Sequence, residues 1–207
     1  MIEKKHFFCT PLWTEHKEEY LKSLIKYSEP HIKKARKRNS KSIKKLKDFG
    51  LVHHSESLLG DNNFLDFKNY IGQKCYDFLV DQEYDMNLYR LMFSELWVQE
   101  FSKNGGGHNA THIHSNQHVC GLYFLKCSKK TSYPVFYDPR LGVRTTKLKN
   151  KKQSFMSGEA IHFDPVPGSL VIFPGYLEHE FVIDFGKDPF RFIHFNLQAI
   201  PKEMSVE

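Results

Sequence analysis

The chain has 207 residues, 40% of them hydrophobic and 26% charged, with a formal net charge of +6. That length suits one domain with a sizeable core, or a core plus an arm. No apolar run reaches the ~18 residues of a membrane-spanning helix, and Met1-Ile2-Glu3-Lys4-Lys5-His6 opens on no secretion signal. Cys9, Cys75, Cys120 and Cys127 form no CxxC pair. Free thiols in a reducing cytoplasm are therefore expected, with no membrane partner.

Residues 6–13 read as a short strand stopped by Pro11. Residues 14–29 read as a helix, with Thr14 as a cap and Tyr20, Leu21, Leu24 and Ile25 as its apolar stripe. Pro30 is expected to interrupt it. Beyond Pro30, Lys33, Lys34, Arg36, Lys37, Arg38, Lys41, Lys44, Lys45 and Lys47 form a basic segment over 33–47, a poorly amphipathic helix or a loop. Without these nine charges the rest of the chain is acidic. The segment can serve as a patch for nucleic acid, but a solvated face is the favoured reading. Phe64, Phe67, Ile71, Cys75, Phe78 and Leu79 recur at helical spacing and predict a helix over 63–81.

After residue 90 the pattern changes. A strand is predicted from Leu91 to Phe101, then a loop at Gly105-Gly106-Gly107. Short strands follow near 119–127, 134–138, 159–163, 169–173, 179–184 and 190–198, many of them separated by Pro or Gly. Residues 147–153 read as an exposed loop. Helices first and many short strands afterwards predict a mainly β protein with N-terminal helices, α+β in class. Residues 1–90 would be helical support and 91–200 a β-sandwich or barrel, the two forming one integrated domain.

The most informative pattern is His112-Ile113-His114, with His179 and Arg191 downstream. On a strand, residues two apart point to one side, so His112 and His114 can reach one ion. A third ligand from a distant strand completes a three-point face with open positions, which a catalytic metal needs. Arg191 would supply a fixed cation.

These residues, in order with Phe8-Cys9-Thr10-Pro11-Leu12, Trp97-Val98, Asn109, Gly121-Leu122-Tyr123-Phe124-Leu125, Asp138-Pro139-Arg140, Pro167-Gly168 and Phe173-Pro174, resemble the iron(II)- and 2-oxoglutarate-dependent oxygenases. The nearest likeness is to a family of mostly uncharacterised bacterial and phage proteins, with prolyl hydroxylases as more distant relatives. The resemblance implies a double-stranded β-helix, a jelly-roll or cupin-like core. It implies Fe(II) held by His112, His114 and His179, with 2-oxoglutarate as cosubstrate. By the same resemblance Arg191 pairs with the far carboxylate of 2-oxoglutarate and Tyr123 helps to hold it.

Two features depart from the family pattern. His114 stands where many relatives carry a carboxylate, and Phe124 stands where a second tyrosine is usual. The implied activity is a dioxygenase that hydroxylates a small molecule or a peptide or protein, with a prolyl or other amino-acyl side chain as the best substrate guess. The alternatives are a three-histidine metal dioxygenase that does not use 2-oxoglutarate, and a non-enzymatic jelly-roll binding module. His108, His118, His162 and His194 are expected not to be ligands. His194 has opposite strand parity to Arg191 and should point away from the site. Asp138, in Tyr137-Asp138-Pro139-Arg140, is read as a turn with a local Asp–Arg pair. Trp97, Phe136 and Phe173 are expected to fill the barrel.

Overall fold

The computed structural model describes residues 3, 8–145, 148–149 and 157–202. Chain order begins with strand β1 (Trp13–His16), helices α1 (Leu21–Arg38) and α2 (Ser40–Leu46), strand β2 (Val52–His54) and helix α3 (Leu65–Asp81). Strands β3 (Tyr89–Phe101), β4 (Asn109–His112), β5 (Val119–Lys126) and β6 (Pro134–Tyr137) follow. A short helix, α4 (Leu141–Thr145), leads to β7 (Ala160–His162), β8 (Ser169–Pro174), β9 (His179–Phe181) and β10 (Arg191–Pro201).

Two antiparallel sheets are formed. The major sheet runs β1-β8-β5-β10-β3-β2 and the minor sheet β4-β9-β6-β7. The predicted helix at 63–81 and every strand predicted after residue 90 are present, with ends shifted by a few residues. The sequence reading missed β2, which is 3 residues long, and placed both His112 and His114 on a strand, whereas β4 is 4 residues long and ends at His112. Such strands are too short for a period-2 pattern to stand out.

The N-terminal reading needs three corrections. His6 and Phe7 lie outside the described residues, and the first strand starts at Trp13, past Pro11. Thr14 to His16 belong to that strand, which pairs with β8, so the helix starts only at Leu21. Pro30 does not end the helix but sits inside α1. Leu24, Ser28, Ile32 and Ala35 are all buried on one side of α1. Packing that stripe against the protein offsets the hydrogen bond lost at the proline, a cost of about 3 kcal/mol. The basic segment is thus the end of α1 plus α2. Part of it is used internally: Lys34 pairs with Glu56 at 2.6 Å and Arg36 with Asp48 at 2.7 Å. Of residues 147–153 only Leu148 and Lys149 are described, and both are exposed.

The major sheet is buried on both faces. Its outer face carries Leu96, Val98, Tyr123, Leu125, Ile193 and Phe195, and packs on Leu24 and Ile32 of α1 and on Phe64, Phe67, Ile71 and Phe78 around α3. Its inner face carries Phe101, Leu122, Phe124, Val171, Phe173 and Phe192, and meets Phe136 and Phe181 of the minor sheet. The two sheets therefore enclose a second, phenylalanine-rich core. Each such ring taken out of water contributes about 1.5–3 kcal/mol. Gly121 on β5 is where Phe195 of β10 lies across its neighbour, and a Cβ there would sit 2.1 Å from the Phe195 ring.

Candidate metal centre

β4 ends at His112, which pairs in register with His179 on β9. The chain then leaves the strand, and His114 is held by its backbone N–H donating to the Gly175 carbonyl at 2.9 Å. His112, His114 and His179 converge, each offering a ring nitrogen within 4.8 Å of the others. The ring centroids of His112 and His179 are 4.4 Å apart, and those of His114 and His179 are 5.2 Å apart.

Hydrogen bonding assigns the tautomer of two of these rings. His112 Nδ1 lies 2.6 Å from the Ala110 carbonyl, and His179 Nδ1 lies 2.9 Å from the Leu177 carbonyl. A carbonyl only accepts, so each Nδ1 carries the proton and each Nε2 keeps a lone pair. Backbone carbonyls orient imidazoles around a metal in this way. His114 is held differently. Its Nδ1 is 3.2 Å from Asn196 Nδ2, and its Nε2 is 3.1 Å from His194 Nε2. Asn196 Nδ2 also donates to Glu95 at 2.6 Å.

His114 and His179 are poor bases. Burial, followed by the neighbouring charge of His112, pushes the His114 imidazole down to about 4. Burial pushes His179 down to about 3, against the pull of the Leu177 carbonyl. At neutral pH both are unprotonated, the form that binds a metal. His112 and His179 each leave Nε2 free, and His114 adds a third nitrogen once its Nε2 gives up the contact with His194; imidazole suits iron, zinc or copper, so the donor set fits a metal ion.

His194 reverses an expectation. It does have opposite parity to Arg191, but it is His194 that faces the histidine cluster. It is buried, its ring centroid lies 4.6 Å from that of His114, and it stacks on Trp97 at 4.0 Å. Sequence reasoning missed His194 and Asn196 as contacts of the site. The signal was their alternation with Phe192 along β10, all three on the inner face.

Arg191 and Tyr123, expected on a cosubstrate, are on the other face of the major sheet. Arg191 is 1% exposed, and its Nε donates to Glu100 at 2.9 Å. Its Nη1 donates to Glu29 at 2.8 Å and to Ser28 at 3.1 Å. The Tyr123 hydroxyl donates to the Lys17 carbonyl at 2.6 Å, and its ring packs on Phe67 of α3. Glu100 pairs with Arg191 directly across the β3–β10 ladder, which fixes both side chains outward. Asp138 keeps its local turn: Arg140 donates to it through the backbone N–H at 2.9 Å and through Nη2 at 2.7 Å. His162 is exposed beside Asp164, and His118 accepts the Ala199 N–H at 3.1 Å. Phe136 and Phe173 fill the space between the sheets as expected, with Trp97 at its margin.

No curated protein matches the chain in sequence. A family model described as "Putative 2OG-Fe(II) oxygenase" matches residues 95–196. Among solved structures, the fold is similar to a viral collagen prolyl hydroxylase from Paramecium Bursaria Chlorella virus-1 (TM-score 0.59, 9% identity, 91% of this chain and 96% of that one). It is similar to a prolyl-4-hydroxylase from Pseudomonas putida (TM-score 0.57, 10% identity, 91% and 93% covered). It is also similar to SnoN, a non-heme alpha-ketoglutarate-dependent epimerase from nogalamycin biosynthesis (TM-score 0.56, 8% identity, 95% and 83% covered). These proteins share the double-stranded β-helix, with two antiparallel sheets facing each other as here. Residues 95–196 thus match the 2OG-Fe(II) oxygenase family model in sequence, on a fold similar to that of these solved enzymes.

Proposed function

We propose that the chain is a mononuclear metal-dependent oxygenase, an oxidoreductase, with iron held by His112, His114 and His179. The observation that carries the reading is the pair of Nδ1–carbonyl bonds on His112 and His179, which turn two Nε2 lone pairs toward the third histidine. Iron, when bound there, supplies the activation of oxygen. The protein's own groups do the rest. Asn196 holds the ring of His114 at its Nδ1, which leaves Nε2, now 3.1 Å from His194, as the nitrogen that would bind the metal. Burial keeps the His114 and His179 imidazoles neutral, and the phenylalanine core beneath them excludes water.

Hydroxylation of an amino-acyl side chain, a prolyl ring first, is the substrate reading the family suggests, with a peptide, a protein or a small molecule as partner. It rests on fold-level likeness alone. 2-Oxoglutarate is given no step, because the residues expected to hold it lie across the sheet. That same observation favours a second reading, a three-histidine metal oxygenase that works without this cosubstrate.

Metal binding tests the centre directly. The full chain, purified without a histidine tag, is expected to bind one Fe(II) or Co(II), the latter read from its ligand-field bands. His112→Ala and His179→Ala should each weaken binding by tenfold or more, whereas His162→Ala should leave it unchanged. His114→Asp should retain the metal, since a carboxylate oxygen is also acceptable to iron and would accept the Asn196 amide. Unaltered affinity in folded His179→Ala would refute the assignment, and a chain that binds no metal would leave the non-enzymatic binding module.

A further inference from the structure

Building on that metal centre, we infer that the described residues form no site for the distal carboxylate of 2-oxoglutarate, and that Arg191 is instead a clamp between the sheet and helix α1. A dicarboxylate chelated at the metal through its keto-acid end must place its second carboxylate inside the sandwich. A buried carboxylate there needs a cation or several donors, or its desolvation is not recovered.

Among the described residues, the ten strands supply no such cation. They carry three lysines or arginines in all: Arg90, Lys126 and Arg191. Arg90 is exposed near the far end of β3, opposite Ile200. Lys126 reaches Glu29 on α1 at 3.8 Å. Arg191 is saturated on the outer face by Glu100, Glu29 and Ser28. Rotamer changes cannot bring it inside, because strand parity sets the face and the Glu100 pairing holds it.

The space a distal carboxylate would need is also filled. Phe101, Phe124, Phe181, Phe190 and Phe192 are each no more than 3% exposed and pack ring against ring, with centroids of Phe181 and Phe192 4.5 Å apart. Phe124 puts a ring without a hydroxyl inward, while the one tyrosine of that strand, Tyr123, points outward to the Lys17 carbonyl.

The clamp has its own logic. Arg191 joins β10 to β3 through Glu100 and joins both to α1 through Glu29 and Ser28. Arg36 of α1 extends the network to Asp48, which His53 of β2 also holds at 2.8 Å. The hydrogen bond from Arg191, more than burial opposes it, holds the Glu29 carboxyl below its ordinary range. One helix, the turn after α2 and three strands meet at these charges.

Pyruvate is the discriminating probe, because it has the keto-acid end of 2-oxoglutarate without the distal carboxylate. The full chain is loaded anaerobically with Fe(II), and each keto acid is titrated while the visible charge-transfer band is followed. Calorimetry on metal-free and Co(II)-loaded chain runs in parallel. Cobalt uptake is read first, so failure of the metal centre is seen separately from failure of this inference. We expect 2-oxoglutarate to bind no more than tenfold better than pyruvate, or neither to bind. A preference of about 30-fold or more, the range for a buried charge pair, would overturn the inference, and so would any preference above tenfold. Arg191→Ala is expected to lower the urea midpoint and leave the ratio of the two keto acids unchanged. Should that variant not fold, Glu29→Gln loosens the clamp at its solvent-facing end, with the same expectation of lower stability and an unchanged ratio. A selective loss of 2-oxoglutarate affinity in either variant at full stability would reject the clamp.

Discussion

At the scale of single residues, the histidines divide by what their second nitrogen does. His112 and His179 give theirs to backbone carbonyls and so present a fixed lone pair. His114 has Asn196 at its Nδ1 and His194 at its Nε2, so unlike the other two it must give up a side-chain contact to offer a lone pair. His53, on the other side of the major sheet, is a histidine of a different kind. It is fully buried against Asp48, and burial outweighs the Asp48 hydrogen bond and holds it below the ordinary imidazole range. An imidazole with a lowered folded pKa takes up its proton more readily when unfolded. Its stabilising contribution is present above the unfolded value of 6.5 and is lost as pH falls through the folded value. The urea midpoint of wild type is therefore expected to fall on acidification from pH 7.5 to pH 5. His53→Gln should shrink that fall; a slope identical to wild type would show that His53 does not contribute.

At the scale of elements, β10 decides most of the architecture. It is the centre of the major sheet, between β5 and β3, and is buried from Arg191 to Leu197 on both faces. A strand buried on both sides reads as a continuous apolar run, so its sequence does not say which face is which. This is why His194 and Arg191 were expected on exchanged faces: their opposite parity was legible, the face was not. Where the register between β10 and β5 shifts, at Arg191/Phe192, the strand is irregular, and such irregularities re-aim side chains near functional sites. The glycine in Gly121-Leu122-Tyr123 has an equally local cause. A Cβ at Gly121 would lie 2.1 Å from the Phe195 ring and 2.7 Å from the Val171 carbonyl oxygen. Neither neighbour can withdraw from the sheet, so Gly121→Ala should cost about 3 kcal/mol, the upper end of overpacking penalties. Chemical denaturation checks this, and a loss below about 1 kcal/mol would show that β5 and β10 can separate locally.

At the scale of the whole molecule, the sheets are closed by partners far apart in the chain. β1 pairs with β8, and the last strand lies between the third and the fifth. The first ninety residues add two strands to the major sheet as well as the helices that cover it. No helix among the described residues is long and apolar enough to cross a membrane. A chain truncated before Arg191 loses the strand that joins the two halves of the major sheet. It is expected to show no cooperative unfolding transition and a collapsed spread of amide resonances; a native-like spectrum would mean that the halves fold independently.

Much of this was determined by the sequence alone. The helix at α3, the strands after residue 90 and the pairing of His112 with His114 follow from periodicity, turn residues and spacing, all of which are local. The order of motifs around them marks the family. The tertiary structure decided what depends on packing between distant segments. Pro30 stays within α1 because the buried stripe on either side of it outweighs one lost hydrogen bond. His194 and Asn196 reach the histidine cluster, and Arg191 faces away from it, because β10 is inserted between β3 and β5 with Glu100 opposite Arg191. Which face of a doubly buried strand meets a site is set by its neighbours' register, and that information is not carried by the strand itself.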